Sequence, residues 1–279
     1  MLVNFTKMHG AGNDFILFYN LPISLNSKII KRICDRHFGI GADGVLIVEN
    51  SSDVDFDLKY FNSDGTGDVL CVNGARCAVW FAYKKGLCGN KAKFKFINKI
   101  FTAEICDINL VKVLLDYQPL IELNRVLQLD SQRISYHYVD IGAKHVIIDF
   151  STMNPKLNKH QIEHEFEIFD VFHFGKRIRN HSDFSPYGTN VNFVLHLSDN
   201  NLLIRTYEKG VENETLACGS GSISAALVTY LTGQINPPIK LKTKSTYVLE
   251  VNFDSEKNMF RNITLTGPAH EIYEGIIDL

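Results

Sequence analysis

Cys71-Val72-Asn73-Gly74-Ala75-Arg76-Cys77-Ala78-Val79-Trp80-Phe81-Ala82-Tyr83 and Cys218-Gly219-Ser220-Gly221-Ser222-Ile223-Ser224-Ala225-Ala226-Leu227-Val228-Thr229-Tyr230 decide how this chain is to be read. Laid over each other from their first cysteines, the two stretches pair Gly74 with Gly221, Ala78 with Ala225 and Tyr83 with Tyr230. In each, a thiol stands just ahead of small residues and an apolar run of helical character. Upstream, Lys59-Tyr60-Phe61-Asn62 falls near Arg205-Thr206-Tyr207-Glu208, and Asn13-Asp14-Phe15-Ile16-Leu17 resembles Val191-Asn192-Phe193-Val194-Leu195. The order strand, long gap, strand, cysteine at a turn, helix therefore occurs twice.

Most of the remaining sequence alternates over short stretches. Strands are expected over 108–116, 190–197, 247–253 and 259–266, and helices over 28–37, 73–85, within 160–180 and over 220–231. Strands do not alternate with long helices, so a doubly wound parallel sheet is not expected. At 279 residues, 45% hydrophobic and 22% charged, the chain has an ordinary globular composition. The formal net charge is −2, and glycines and Phe94 interrupt the densest basic stretch, 84–95, so nucleic acid is not an expected partner. No apolar run approaches a membrane span, and the first residues lack a secretory pattern. Six cysteines in such a chain read as reduced thiols in a cytoplasmic protein.

A thiol at a helix start feels the macrodipole and the unpaired N–H groups, both of which favour the thiolate. Gly-Ser-Gly-Ser alone describes a flexible link, but here it enters an apolar helix and would expose N–H groups to an anion. Facing each other, two such helix ends would hold a carboxylate with one sulfur on each side of its α-carbon. One thiolate would remove the α-proton and the opposite thiol would return one, while the helix ends stabilise the developing enediolate charge. Cys77 is expected to pack inside its helix. Gly39-Ile40-Gly41-Ala42-Asp43-Gly44 fits a dinucleotide fingerprint by letter, but it follows a helical stretch and enters a strand, the reverse of the required order. It reads as a turn. No Cys or His pair has zinc-site spacing, so no metal is expected; His160 and His164 are assigned to a solvated helix face.

The segments 7–15, 36–44, 71–77, 188–193, 208–221 and 267–270 resemble the diaminopimelate epimerases, and the likeness extends from Lys7 to about Gly275. The resemblance implies an α+β fold of two pseudo-symmetric lobes, each a curled, mostly antiparallel sheet around a central helix, with the active site in the cleft. The lobes are expected at 1–117 with 267–279, carrying Cys71, and at 118–266, carrying Cys218. The implied reaction interconverts LL- and meso-2,6-diaminopimelate by two-base proton transfer, in lysine and peptidoglycan precursor synthesis. It implies no pyridoxal phosphate or other cofactor, a small amino-acid substrate and a homodimer. Carried over residue by residue, Cys71 and Cys218 match the catalytic thiols. Asn13, Asn62, Val72, Asn73, Asn190, Glu208, Lys209, Gly219 and Ser220 match substrate contacts, and His145 matches a histidine near the site. Three positions depart from the family pattern: Val72 stands for Gly, Ala143 for a polar residue, and Lys209 for an Arg that would clamp a carboxylate bidentately. They leave open a racemase of another amino acid on this scaffold; the rival of another class, a non-catalytic amino-acid-binding protein, would need at least one of the two thiols to be missing, and both are present.

Overall fold

Residues 1–115 with 265–279 form one unit and residues 116–264 a second. The computed structural model describes residues 1–67, 70–233, 235–257 and 259–279. No helix among the described residues is long and apolar enough to cross a membrane.

In the first unit, β1 (Leu2–Gly10) and β2 (Asn13–Tyr19) make an antiparallel hairpin. Helix α1 (Ser27–Cys34) starts where the Asn26 side chain accepts the Ile29 N–H, and it buries Ile30, Ile33 and Cys34. It stops earlier than the apolar spacing suggests, because the Asp35 carboxylate accepts the N–H groups of His37 and Phe38, each at 2.8 Å. The glycine run then folds back on the helix: a β-carbon on Gly39 would sit 2.2 Å from the Arg32 carbonyl oxygen, and Gly41 has φ +79°. This turn enters β3 (Gly44–Glu49), which runs parallel to β2, and β4 (Phe56–Asn62) returns antiparallel to β3. Helix α2 (Val72–Lys84) is buried continuously from Val72 to Ala82 and packs on β1 to β4. A helix buried on every side belongs at the centre of its unit. After it come β5 (Lys91–Phe96), parallel to β4, then β6 (Lys99–Asp107) and β7 (Leu110–Leu115), each antiparallel to the strand before. Strand β7 begins two residues later than its apolar pattern, since Asn109 turns the chain at φ 57°.

The second unit opens with β8 (Leu120–Leu129), β9 (Gln132–Asp140) and β10 (Lys144–Asp149), consecutively antiparallel. A short α3 (Phe150–Met153) leads to α4 (Lys159–Ile168) and α5 (Val171–Arg179). The single helix expected within 160–180 is thus two. Asp170 caps α5 by accepting the His173 N–H at 2.9 Å, and Phe169 turns inward against Phe150, Phe174 and Phe193, with ring centroids 4.8–5.0 Å away. His160 and His164 are exposed on α4. Strand β11 (Asn190–Ser198) is parallel to β10; β12 (Asn201–Glu208) and the short β13 (Asn213–Thr215) follow antiparallel. Helix α6 (Gly219–Leu231) is buried along most of its length. Then come β14 (Ile239–Lys242), parallel to β12, antiparallel β15 (Val248–Glu256), and β16 (Met259–Pro268), tied to β15 through Asn262 to Asp254 and Thr264 to the Asn252 carbonyl. The final strand, β17 (His270–Asp278), pairs antiparallel with β1 in the first unit.

The α+β architecture repeats. The series β1, β2, β3, β4, α2, β5, β6 has the same order and the same parallel and antiparallel pairings as β9, β10, β11, β12, α6, β14, β15. Two of the three sequence alignments fall on equivalent elements, β4 with β12 and α2 with α6. The third does not: Asn13 to Leu17 lies on β2, whose counterpart is β10, whereas Val191 to Leu195 lies on β11, the counterpart of β3. Buried strands share an apolar vocabulary, so letters alone matched neighbours in the sheet rather than equivalents.

Candidate active site

In the first unit, Cys71 is the N-cap residue of α2, half-buried, with φ −79° and ψ 109°; its carbonyl accepts the Ala75 N–H at 2.8 Å. Its thiol donates to Asn13 Oδ1 at 3.5 Å, and Asn73 Nδ2 donates to the same oxygen at 3.3 Å. Asn13 is held in that orientation because its Nδ2 donates to Asp43 Oδ2 at 2.7 Å. Asn73, buried, accepts at Oδ1 from Arg76 Nη2 at 2.8 Å. Val72 is buried and lends its carbonyl to Arg76. Asn62 stands apart: exposed at the end of β4, it accepts from the Tyr60 hydroxyl and donates to Thr66 Oγ1 at 2.9 Å. Cys71, Asn13, Val72 and Asn73 therefore form one bonded group, while the described bonds of Asn62 lie within its own turn.

Two features of this unit escaped the sequence reading. Arg76 is wholly buried, and its other contacts are the carbonyls of Val72 and Pro268, both at 3.4 Å. Burial lowers its pKa to about 10, which still leaves a cation at neutral pH. The second is the charge cluster behind Asn13. Lys7 and Arg36 each reach Asp14 at 2.8 Å, and Arg36 also reaches Asp43 at 2.8 Å. Burial opposes ionisation of Asp14, but hydrogen bonds from Arg36 and Lys7 outweigh it and hold the carboxyl at about 2. Burial and the charge of Asp14 raise Asp43. The glycine-rich turn delivers Asp43 to Asn13, which explains why that stretch has an acidic residue just before a strand. Cys77, fully buried, is pushed to about 12 by burial and stays an inert thiol, as its place inside the helix implies.

In the second unit, Cys218 is the N-cap residue of α6 and is 7% exposed. Its sulfur accepts the Gly221 N–H at 3.4 Å and lies 3.5 Å from Ser220 Oγ. Gly219 is buried in the first turn and Ser220 is half-buried. His145, at the start of β10, is wholly buried, and its Nε2 lies 3.0 Å from Ser220 Oγ. Burial alone lowers its pKa to about 3, so the ring is neutral. Asn190 spans two strand ends: Nδ2 donates to the Lys144 carbonyl and Oδ1 accepts the Lys209 N–H, both at 2.9 Å. Glu208, half-buried at the end of β12, accepts from the Thr215 hydroxyl at 3.0 Å. The Lys209 side chain is exposed and Ala143 is half-buried. Cys218, Gly219, Ser220 and His145 form one group, and Asn190, Glu208 and Lys209 a second at the ends of β11 and β12.

The family model described as diaminopimelate epimerase matches residues 5–117. Relatives cover nearly all of the chain. The diaminopimelate epimerase of Aquifex aeolicus is 33% identical over 98% of this chain and 97% of its own length. That of Chlorobaculum tepidum is 36% identical over 98% of this chain and 100% of its own.

The chain belongs to the diaminopimelate epimerase family.

Solved structures extend the likeness at the level of fold. A probable proline racemase from Agrobacterium radiobacter K84 superposes with a TM-score of 0.72 at 13% identity, covering 99% of this chain and 92% of its own. A PhzF-family phenazine biosynthesis protein from Bacillus anthracis gives 0.69 at 13% identity, with both chains fully covered. The three positions expected to depart from the family pattern now have addresses. Val72 is buried in the first turn of α2; Ala143 and Lys209 flank Asn190, which binds the carbonyl of Lys144 and the N–H of Lys209.

Proposed function

We propose that this chain is a diaminopimelate epimerase, an isomerase that inverts one α-carbon of 2,6-diaminopimelate with Cys71 and Cys218 as paired acid and base and no cofactor. The observation that carries the reading is the doubled cysteine cap: each unit of a chain in this family places one thiol at the N-terminus of its buried central helix. A cysteine at that position is exposed to unpaired N–H groups and to the positive end of the macrodipole, which bring a thiol toward near-neutral proton transfer. Inversion needs one base and one acid on opposite faces of the α-carbon, and two thiols supply both without a net change in protonation. The helix N–H groups at Asn73 and at Gly219 and Ser220 are assigned to the reacting carboxylate, where they stabilise the enediolate-like charge. Asn13, Asn62, Asn190, Glu208 and Lys209 are assigned to the rest of the substrate. Reduced thiols suit a cytoplasmic enzyme acting in lysine precursor supply as a homodimer.

The test is α-proton exchange and inversion of LL-diaminopimelate in deuterated water. Cys71→Ala and Cys218→Ala each abolish inversion while circular dichroism stays unchanged, and Cys→Ser at either position costs at least about a hundredfold, the low end for a lost general acid or base. Activity survives EDTA and hydroxylamine. Full turnover by Cys218→Ala would sink the proposal.

A further inference from the structure

The loop that joins β12 to β13 is closed by one carboxylate. Residues 209–212 connect the paired residues Glu208 and Asn213, and two of them take left-handed backbone, Gly210 at φ +93° and Glu212 at φ +56°. Glu212 returns its N–H to the Glu208 carbonyl at 2.8 Å, and its Oε1 accepts the Gly210 N–H at 3.0 Å. Two groups from outside the loop meet the same carboxylate. The Tyr207 hydroxyl donates to Oε2 at 3.3 Å, and Arg179, the last residue of α5, donates to Oε1 through Nε at 3.2 Å and Nη2 at 3.1 Å. Burial opposes ionisation of Glu212, but the Gly210 N–H and the charge of Arg179 outweigh it and hold the carboxyl below its ordinary value.

Arg179 also lies against the segment that enters β11. A β-carbon on Gly188 would sit 1.5 Å from Arg179 Nη1, so the guanidinium occupies the space that a side chain there would need. Gly188 stands just before Thr189 and Asn190, and Glu212 just after the turn that begins with Lys209. The guanidinium thus touches both segments, and a second tie joins them where Asn190 Oδ1 accepts the Lys209 N–H at 2.9 Å. Among the described residues, neither Arg179 nor Glu212 bonds to the cysteine cap of α6.

We propose that Arg179 and Glu212 are positioning residues for substrate capture: their ion pair locks the Lys209 loop onto the strand end that carries Asn190, so that the surface assigned to the part of the substrate beyond the reacting carbon is formed before the substrate arrives. The assignment rests on the reading of the site above and deepens it. A loop that is already ordered loses less freedom on binding, so the pair acts on affinity. Binding that is lost equally from the ground and transition states raises KM and leaves kcat in place.

Two readouts on the full-length chain test it, and the first needs no substrate. Amide hydrogen exchange, resolved by NMR, quickens at Lys209, Gly210 and Glu212 by at least about tenfold in Arg179→Gln, because opening the loop releases those three N–H groups together. Amides paired between β11 and β12 keep their protection, and the melting temperature stays within a few degrees, as expected for a partly exposed ion pair. Unchanged exchange at the three loop amides overturns the proposal. In the second readout, Arg179→Gln raises KM for LL-diaminopimelate by at least about tenfold with kcat within about threefold. Arg179→Lys, which keeps the charge but loses the fork, falls between that variant and wild type. Glu212→Gln removes the charge at nearly constant shape and gives the same split independently. A fall in kcat with KM unchanged overturns the proposal. Because the loop amides are read without turnover, a failed lock and a failed epimerase assignment give different results.

Discussion

A β-carbon on Gly221 would lie 2.3 Å from Asn192 Oδ1 and 3.3 Å from Cys218 Sγ, so α6 can start here only with no side chain at its third position. Asn192 Oδ1 accepts from the buried Thr206 hydroxyl at 2.9 Å, so Gly221→Ala must break that bond or lift the cap away from the sulfur. The expected result is about 1–3 kcal/mol of destabilisation in denaturant melts, the usual range for an overpacked core, together with slower Cys218 labelling. Gly221→Ala with wild-type stability and labelling would contradict this packing. Both cysteines were legible in the sequence because a thiol before small residues and an apolar run has a local signature. Asn192, Thr206 and Arg76 were not, since their meaning depends on what lies on the neighbouring strand or helix. Their trace was a polar residue in an otherwise apolar element, a signal that names no partner. Residues 143 and 209 are the positions at which the proposed function can be tested for substrate choice. If these two positions hold the distal end of the substrate, as proposed, Lys209 keeps a cation where an Arg would fork onto a carboxylate and Ala143 offers no polar side chain, and together the two would weaken capture of a distal carboxylate by about 1–3 kcal/mol, or roughly five- to a hundredfold. If diaminopimelate is the substrate, Lys209→Arg with Ala143→Asn lowers its KM with turnover intact. An enzyme that gains diaminopimelate activity from near zero in that double variant, while losing it on another amino acid, would favour the racemase reading.

At the scale of elements, the hairpin of β1 and β2 is joined to the turn after α1 by Lys7, Asp14, Arg36 and Asp43. The folded pKa of Asp14, about 2, lies below its ordinary 3.8, so its contribution is fully present above that ordinary value and is lost as pH falls toward 2. The size is roughly 2 kcal/mol for a group this protected from solvent. Asp43 is shifted upward and acts with the opposite sign: its ionised form is disfavoured in the folded state, and acid relieves that cost. Denaturant melts at pH 5 and above should therefore show Asp14→Asn as destabilising, and the difference from wild type should shrink as pH approaches about 2. A constant difference across that range would mean that the carboxylate charge is not what holds the turn. Element boundaries were harder to read than element types. Apolar spacing continues past Asp35 and so extends the expected helix, while α1 ends where the Asp35 carboxylate accepts the N–H groups of His37 and Phe38. The break between α4 and α5 depends on where Phe169 is buried, which periodicity cannot express.

For the whole molecule, the repeated strand order gives each unit its own thiol-bearing helix, and the described contacts of the two thiols differ: an amide oxygen for Cys71, a hydroxyl and a backbone N–H for Cys218. The duplication was visible in the cysteine helices because both retain the spacing of glycine, alanine and tyrosine. It was misassigned upstream because strand pairing direction, which distinguishes β2 from β3 and β10 from β11, leaves no mark in residue letters. A reaction divided between two copies predicts that inversion and exchange come apart when one thiol is removed. In Cys71→Ala, the Cys218 thiolate still removes the α-proton from the face it reaches, but no acid waits on the other face, so the carbanion recovers a solvent hydrogen on the side it left. That variant should wash deuterium into one stereoisomer of diaminopimelate without converting it to the other. In Cys218→Ala the same argument applies to Cys71 and the opposite face, so the other stereoisomer should take up deuterium without inversion. The readout is proton NMR of each pure stereoisomer in deuterated water, scored for loss of the α-proton signal and, by chiral chromatography, for inversion. Exchange with inversion in either variant would contradict the two-thiol mechanism.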